Sequence, residues 1–373
     1  MQKVFVCTTL LLLSFSSKAQ ERIDSIPEFV HFLSSIPKDE VVLIILSDGR
    51  CGKCLLAENV NYLEKLNSIF LYPIGMVDSG SDFGKVISMK HRINKLPAIL
   101  VLDNSGQLLR RIYELPIEVE EMRELQLPFD TLPRGKSPLT FDLDYPKFFE
   151  QSFHRSAQSQ PYDEVLSLFF QSNPKLQDEM VWAVALRFHL KDEMINQIIL
   201  ERDTLIGLFG KEEVYDKLDK FFFDQMKASV RSGVESQFES MIAKAELAFG
   251  QDEFEYTFKY KSYFYQLTGN WNAYLKLGNE INANGLLPQQ TLTEMAQILL
   301  NYSNEEGILG EASGWFSEEL TDSNLENADL KVILLWRGGE KTEAKELALK
   351  IKALPNYSEV KFPYSNSIMT GQK

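Results

Sequence analysis

Six consecutive apolar residues, VVLIIL from Val41 to Leu46, constrain this chain more than any other feature. The run is too short to cross a membrane and is rich in β-branched residues, so it reads as a strand buried on both faces of a sheet. A turn follows at Ser47-Asp48-Gly49, then Cys51-Gly52-Lys53-Cys54, then LLAENVNYLEKL at helical spacing. The sequence therefore puts a Cys-x-x-Cys where a strand hands over to a helix N-terminus. Such an end carries unpaired backbone N–H groups and a partial positive charge. Both stabilise a thiolate, the reactive form of cysteine. Residues three apart on a helical turn are neighbours, near enough for a disulfide.

At 373 residues the chain has the length for two or more domains with real cores. Its net charge of −14 argues against a nucleic-acid partner, which would want a basic face. The N-terminus reads as an export signal: Lys3 is the basic segment, Val4 to Phe15 the apolar core, and Ser17-Lys18-Ala19 the small residues for cleavage before Gln20. The apolar core falls short of the roughly 20 residues of a membrane span, so cleavage is expected over anchoring. Removing residues 1–19 takes away Lys3 and Lys18 and no acid, so −14 becomes −16. The product is expected to be an exported, periplasmic protein of the bacterial envelope with no integral membrane span. Cys7 leaves with the signal, and Cys51 and Cys54 are then the remaining cysteines. Such a protein has not used disulfides as structural staples; its one possible internal disulfide lies over the helix end.

In chain order, Ser25 to Ile36 has the spacing of a short amphipathic helix with Pro27 in its first turn. The strand 41–46 and a helix to about Leu66 follow. Ile69 to Val77 reads as a second strand, Ser81 to Arg92 as a helix and Pro97 to Leu102 as another apolar strand. Asp103-Asn104-Ser105-Gly106 is a hairpin turn, with Gly106 free to take positive φ. Gln107 to Tyr113 is the return strand, and Pro116 to Gln126 a closing helix. The order is α-β-α-β-α-β-β-α. Strands separated by helices imply parallel pairing, with the final hairpin adding an antiparallel edge.

This order, with Cys51-x-x-Cys54 after the central strand and Leu96-Pro97-Ala98-Ile99 leading a later one, resembles the thioredoxin-like family over roughly residues 24–126. The resemblance implies an α/β thioredoxin-like domain over residues 20–126. It also implies that Pro97 is cis, in a loop with Leu96 that faces the dithiol. The chain departs from the family at four places. Arg50 replaces the Trp before the first cysteine, Gly52-Lys53 replaces Gly-Pro, Ala98 replaces Thr, and Ile45 stands where the family keeps a buried acid that helps move the proton of the second cysteine.

Leu127 to Pro146 holds four prolines and no sustained period, and reads as a linker or wrapping arm. Residues 147–373 are expected to form an all-α domain, with ten to twelve helices up to Leu354. Pro161, Pro174 and Pro288 stand near helix starts, and Gly210, Gly250, Gly269 and Gly285 follow apolar-periodic runs as expected stops. Phe254–Asn284 and Ala328–Leu354 are each helix, Gly-containing turn, helix, with Ala273, Ala344 and Ala348 at crossing points. They resemble tetratricopeptide hairpins, beside a general helical bundle as the other reading. The aromatic runs around Phe221-Phe222-Phe223 and Phe254 to Tyr265, and Trp271, Trp315 and Trp336, are expected to be core.

The chemistry this pattern points to is thiol–disulfide exchange, a protein disulfide oxidoreductase activity. Cys51 attacks or carries a disulfide and Cys54 resolves the mixed species. Arg50 and Lys53 put cations beside the sulfurs and should depress the Cys51 pKa, making the pair more oxidising than that of a thioredoxin. Leu96, Pro97, Arg50, Gly52 and Lys53 form the expected support of the site, and the partners are client or redox-partner proteins. A passive disulfide and half of a metal site are the alternatives for the cysteines. A passive bridge over so small a loop returns little stability, and His31, His91, His154 and His189 are not at ligand spacing from another His or Cys. They read as surface or helix-face residues. No Gly-rich phosphate loop or Ser/His/Asp grouping is legible, so neither cofactor nor metal is expected. The competing reading for the whole chain is a non-catalytic adaptor in which the helices bind proteins.

Overall fold

The computed structural model describes residues 21–37, 40–48, 59–70, 72–93, 95–113, 145–153, 162–173, 175–285, 287–321, 324–355 and 357–370. The expected signal (1–19), the closing helix 116–126 and most of the 127–146 segment lie outside them.

The apolar run forms β2 (Val41–Ser47), preceded by β1 (Glu21–Arg22) and α1 (Ile26–Ser34). It is followed by α2 (Val60–Phe70), β3 (Ile74–Asp78), α3 (Asp82–Lys90), β4 (Ala98–Asp103) and β5 (Leu108–Ile112). The five strands make one mixed sheet in the order β1-β3-β2-β4-β5. Alternate residues of β2 serve opposite faces. Val42, Ile44 and Leu46 pack with Phe29, Phe32 and Leu33 of α1 and Phe83 and Ile87 of α3. Val41, Leu43 and Ile45 pack with Tyr62, Leu63 and Leu66 of α2. Two covered faces explain the absence of polar alternation in the run.

Two strand-level expectations are corrected, and one strand was not expected. The second strand begins at Ile74, not Ile69, because α2 continues to Phe70 and Pro73 has no N–H for a ladder; its carbonyl accepts from Leu43 N instead. β1, two residues long, carries no period from which to read it. And β4 is antiparallel to β2, with Val41 opposite Asp103 and Leu46 opposite Ala98. Helix–strand alternation sets layers, not direction. The connection over residues 79–97 is long enough to bring the chain back to the end where β3 left the sheet. β1 and β2 are parallel to β3, and β4–β5 is the expected hairpin. In its turn the Asp103 carboxylate accepts from Ser105 N, Ser105 Oγ and Gln107 N, and Gly106 takes φ 78°.

The chain divides into two compact units between Leu190 and Lys191, and not at the 127–146 segment. Helices α4 (Lys147–Gln151), α5 (Asp163–Ser172) and α6 (Glu179–Arg187) thus belong with the sheet. The reason is contact. Tyr145 Oη donates to Met89 O at 3.3 Å, Arg92 pairs with Glu179 at 2.9 Å, and Met89 packs against a cluster containing Phe149, Leu166, Val184 and Phe188.

The second unit is helical. It contains α7 (Asp192–Leu200), α8 (Arg202–Phe209), α9 (Lys211–Ser232), α10 (Glu235–Phe249), α11 (Glu253–Thr268), α12 (Trp271–Asn284), α13 (Gln289–Tyr302), α14 (Glu306–Ser313), α15 (Leu325–Arg337), α16 (Lys341–Lys352) and α17 (Pro363–Thr370). That makes thirteen described α-helices from Lys147 to Lys352, one more than the expected upper count, since single residues separate short helices such as α7 and α8. Gly210, Gly250, Gly269 and Gly285 all stand at helix C-caps with positive φ. Pro288 caps the start of α13. Both expected hairpins form, as α11–α12 and α15–α16. Phe221, Phe222, Trp315, Ala344 and Ala348 are buried as expected, whereas Phe223, Trp271, Ala273 and Trp336 are only partly so and Tyr263 is exposed.

Candidate functional site

Arg50, Cys51, Gly52, Lys53 and Cys54 lie outside the described residues, so the site is defined here by what flanks it. Upstream, β2 ends at Ser47, whose carbonyl accepts from Ser79 N at 2.8 Å and ties the ends of β2 and β3 together. Downstream, α2 opens at Val60 beneath Asn59, whose Oδ1 accepts from Asn61 N at 2.9 Å and Tyr62 N at 3.3 Å. The first-turn N–H groups of α2 are therefore served by the Asn59 side chain, five residues beyond Cys54 in sequence.

Leu96 and Pro97 are described, and the peptide bond between them is cis, as the family resemblance implies. Because Ala98 opposes Leu46, Pro97 falls in register beside Ser47, at the end of the sheet where β2 leaves toward the cysteines. Pro97 is buried and Leu96 is 37% exposed. Next to them the Lys95 ammonium lies over the Tyr113 ring, 5.6 Å from its centroid. The turn from β3 into α3 borders the same end. Ser81 Oγ accepts from Gly84 N at 2.9 Å, and a Cβ on Gly84 would stand 2.0 Å from the Asp78 carbonyl oxygen, so that turn requires glycine.

Ile45, at the position of the family's buried acid, is fully buried among Tyr62, Leu63, Leu66, Ile99 and Val101. Sequence reasoning missed Tyr62. It is 6% exposed, its hydroxyl has no hydrogen-bond partner among the described residues, and burial raises its pKa above the phenolic value. Its place at helical spacing, three and four residues from Asn59 and Leu66, showed the burial but not the unmet hydroxyl.

The expectation of surface or helix-face histidines fails at His91. It caps the C-terminus of α3 and is 3% exposed, on the face of the sheet opposite Tyr62. Its carbonyl accepts from Arg111 Nε at 2.8 Å, and its Nε2 has no partner among the described residues. Burial holds its pKa well below the usual value, and the charges of Arg111, Arg92 and Lys90 push the same way. His31 and His189 are exposed, and His154 is outside the described residues. Among the described residues, no helix is long and apolar enough to cross a membrane.

Compared with known proteins, the chain matches no family model and no curated protein.

Proposed function

We propose that this chain is an exported thiol–disulfide oxidoreductase with a thioredoxin-like sheet unit, working through Cys51 and Cys54. The observation that carries the reading is the β2–β4 register. Leu46 opposite Ala98 brings Pro97 to the end of the strand from which the cysteine segment departs. Four residues of backbone span at most about 14 Å, so the step from Ser47 to Cys51 keeps the first sulfur within reach of that end. The mixed sheet with both faces covered, and the exposed Leu96 beside Pro97, support the same reading.

In the reaction, the Cys51 thiolate attacks one sulfur of a client disulfide. That S–S bond breaks, its other sulfur leaves as a thiolate, and a mixed disulfide forms. The Cys54 thiolate then attacks Cys51 Sγ, releasing the client's second thiolate and closing the Cys51–Cys54 disulfide; two electrons have passed to the client. The reverse sequence oxidises a client dithiol. Arg50 and Lys53 favour the Cys51 thiolate by charge. Ile45 itself has no carboxylate with which to take the Cys54 proton, so resolution should be the slow half-reaction.

The helical unit is the proposed client- or partner-binding element, a tetratricopeptide-like stack. Its hairpins contact one another in the manner of stacked repeats: α9 touches α11, α12 touches α14, and α13 touches α15.

The test is Cys51→Ser in the exported form, assayed by insulin reduction and by oxidative refolding of a reduced client. Loss of both activities, about 10³-fold or more for removal of a nucleophile, is expected. Activity that survives unchanged rejects the assignment and leaves the adaptor reading.

A further inference from the structure

We propose that α17 is a releasable strap, an eight-residue helix that lifts off the α15–α16 hairpin as one piece while the hairpin stays folded. A helix this short does not hold itself together in water, so its order comes from what it sits on. It sits on α15 and α16.

Its start is held by another helix. Pro363 is its first residue, and the position before it, where a Ser, Asp or Asn would normally cap, is Phe362, which has no side-chain oxygen. Asp329 of α15 supplies the cap from across the seam. Its Oδ2 accepts from Tyr364 N at 3.1 Å, and its Oδ1 accepts from Ser365 N at 2.7 Å and from Ser365 Oγ at 2.5 Å. Phe362, fully buried among Leu325, Ala328, Val332 and Ile351, is the second hold.

The same dock leaves polar groups poorly served. Asp329 is 3% exposed and has no cation within ion-pair distance among the described residues. Burial raises its carboxyl above the ordinary carboxylate value, against the pull of its three hydrogen bonds. Tyr357 Oη and Asn366 Oδ1 are buried with no hydrogen-bond partner among the described residues. The half-buried carboxylate Asp219 of α9 is a contrast: Lys259 Nζ lies 2.8 Å from it and Tyr260 Oη donates to it at 2.8 Å. Lifting α17 returns Tyr357 Oη, Asn366 Oδ1 and the Asp329 carboxylate to water and gives up the three Asp329 hydrogen bonds and the contacts of Phe362, Ile368 and Met369. Weak, local attachment of this kind is what sub-global opening requires.

Amide hydrogen exchange on the full chain tests this. Residues 364–370 should exchange roughly tenfold or more faster than α15 and α16, and Asp329→Ala should accelerate them by roughly another tenfold with hairpin protection unchanged. Phe362→Asp should release the strap with Asp329 intact, and a labelled synthetic peptide of residues 357–370 should then bind the F362D chain and not the wild type. Strap and hairpin exchanging at one rate would overturn the proposal, as would loss of α15 protection in both variants. So would an F362D chain with a protected hairpin that does not take up the peptide.

Discussion

The sheet unit and the helical unit treat polar groups at their seams differently. In the sheet unit, strands meet their backbone needs in one another, the layers between sheet and helices are apolar, and polar atoms caught there are stranded: His91 Nε2 on one face and Tyr62 Oη on the other have no partner among the described residues. In the helical unit each helix satisfies its own backbone, so nothing in the backbone fixes one helix against the next. Side-chain bonds do it instead. Tyr260 and Lys259 meet Asp219, Tyr215 Oη reaches the Phe249 carbonyl at 2.9 Å, and Trp315 Nε1 donates to Asn279 Oδ1 at 2.7 Å. Between strands the backbone ladder sets the register; between helices side-chain bonds help to set it, although Tyr357 Oη and Asn366 Oδ1 there have no partner among the described residues either.

The largest effect that could break this comparison is in the sheet. Ile45→Ala removes a fully buried side chain from the central strand and should cost about 4 kcal/mol in urea unfolding of that unit. A cost under about 1 kcal/mol would mean the seam is not close-packed. Next, Asp219→Ala leaves the fully buried Tyr260 hydroxyl without its acceptor and should cost the helical unit about 2 to 3 kcal/mol. An unchanged midpoint would show that the network is ornamental.

The pH dependence sharpens the contrast. Folded His91 stays neutral below about pH 6.5, where the unfolded chain binds a proton, so the sheet unit should lose about 1.4 kcal/mol for each pH unit below that point until the lowered native pKa is reached. Asp329 in the helical unit has the opposite sign. Its native pKa is raised, so its unfavourable contribution is complete at neutral pH and is relieved as pH falls through that value. Lys217, pushed down to about 7 chiefly by burial, acts in a separate window: stability falls from the usual lysine pKa down to about 7 and is level below it. Between pH 7 and pH 5, protection corrected for the intrinsic exchange rate should therefore fall in the sheet unit more than around α15; parallel changes would refute the assignment. The smallest effect is Asn59→Ala, about 1 kcal/mol from loss of the α2 cap, read as faster exchange in its first turn.

Much of the fold was legible because its signals are local. The run Val41–Leu46, the Asp103–Gly106 turn and the four glycine stops act through bonds a few residues long. Pro97 was legible through the likeness of Leu96-Pro97-Ala98-Ile99 to a family pattern. The unmet hydroxyl of Tyr62 and the burial of His91 were not, because each depends on which side chains another element brings up to it.

By itself the sequence determined most of the strands and helices, that the central strand has two covered faces, and that Cys51 and Cys54 stand after it. Only the tertiary structure decided that β4 runs against β2, that residues 145–190 pack with the sheet, and that the helix starting at Pro363 takes its cap from Asp329, 36 residues before Ser365. The division has one physical cause. Propensity, capping and turn chemistry act over a few residues and are written in order along the chain. Strand direction, the partner of a buried polar atom and the edge of a folding unit depend on contacts between distant residues, for which one local pattern admits several outcomes.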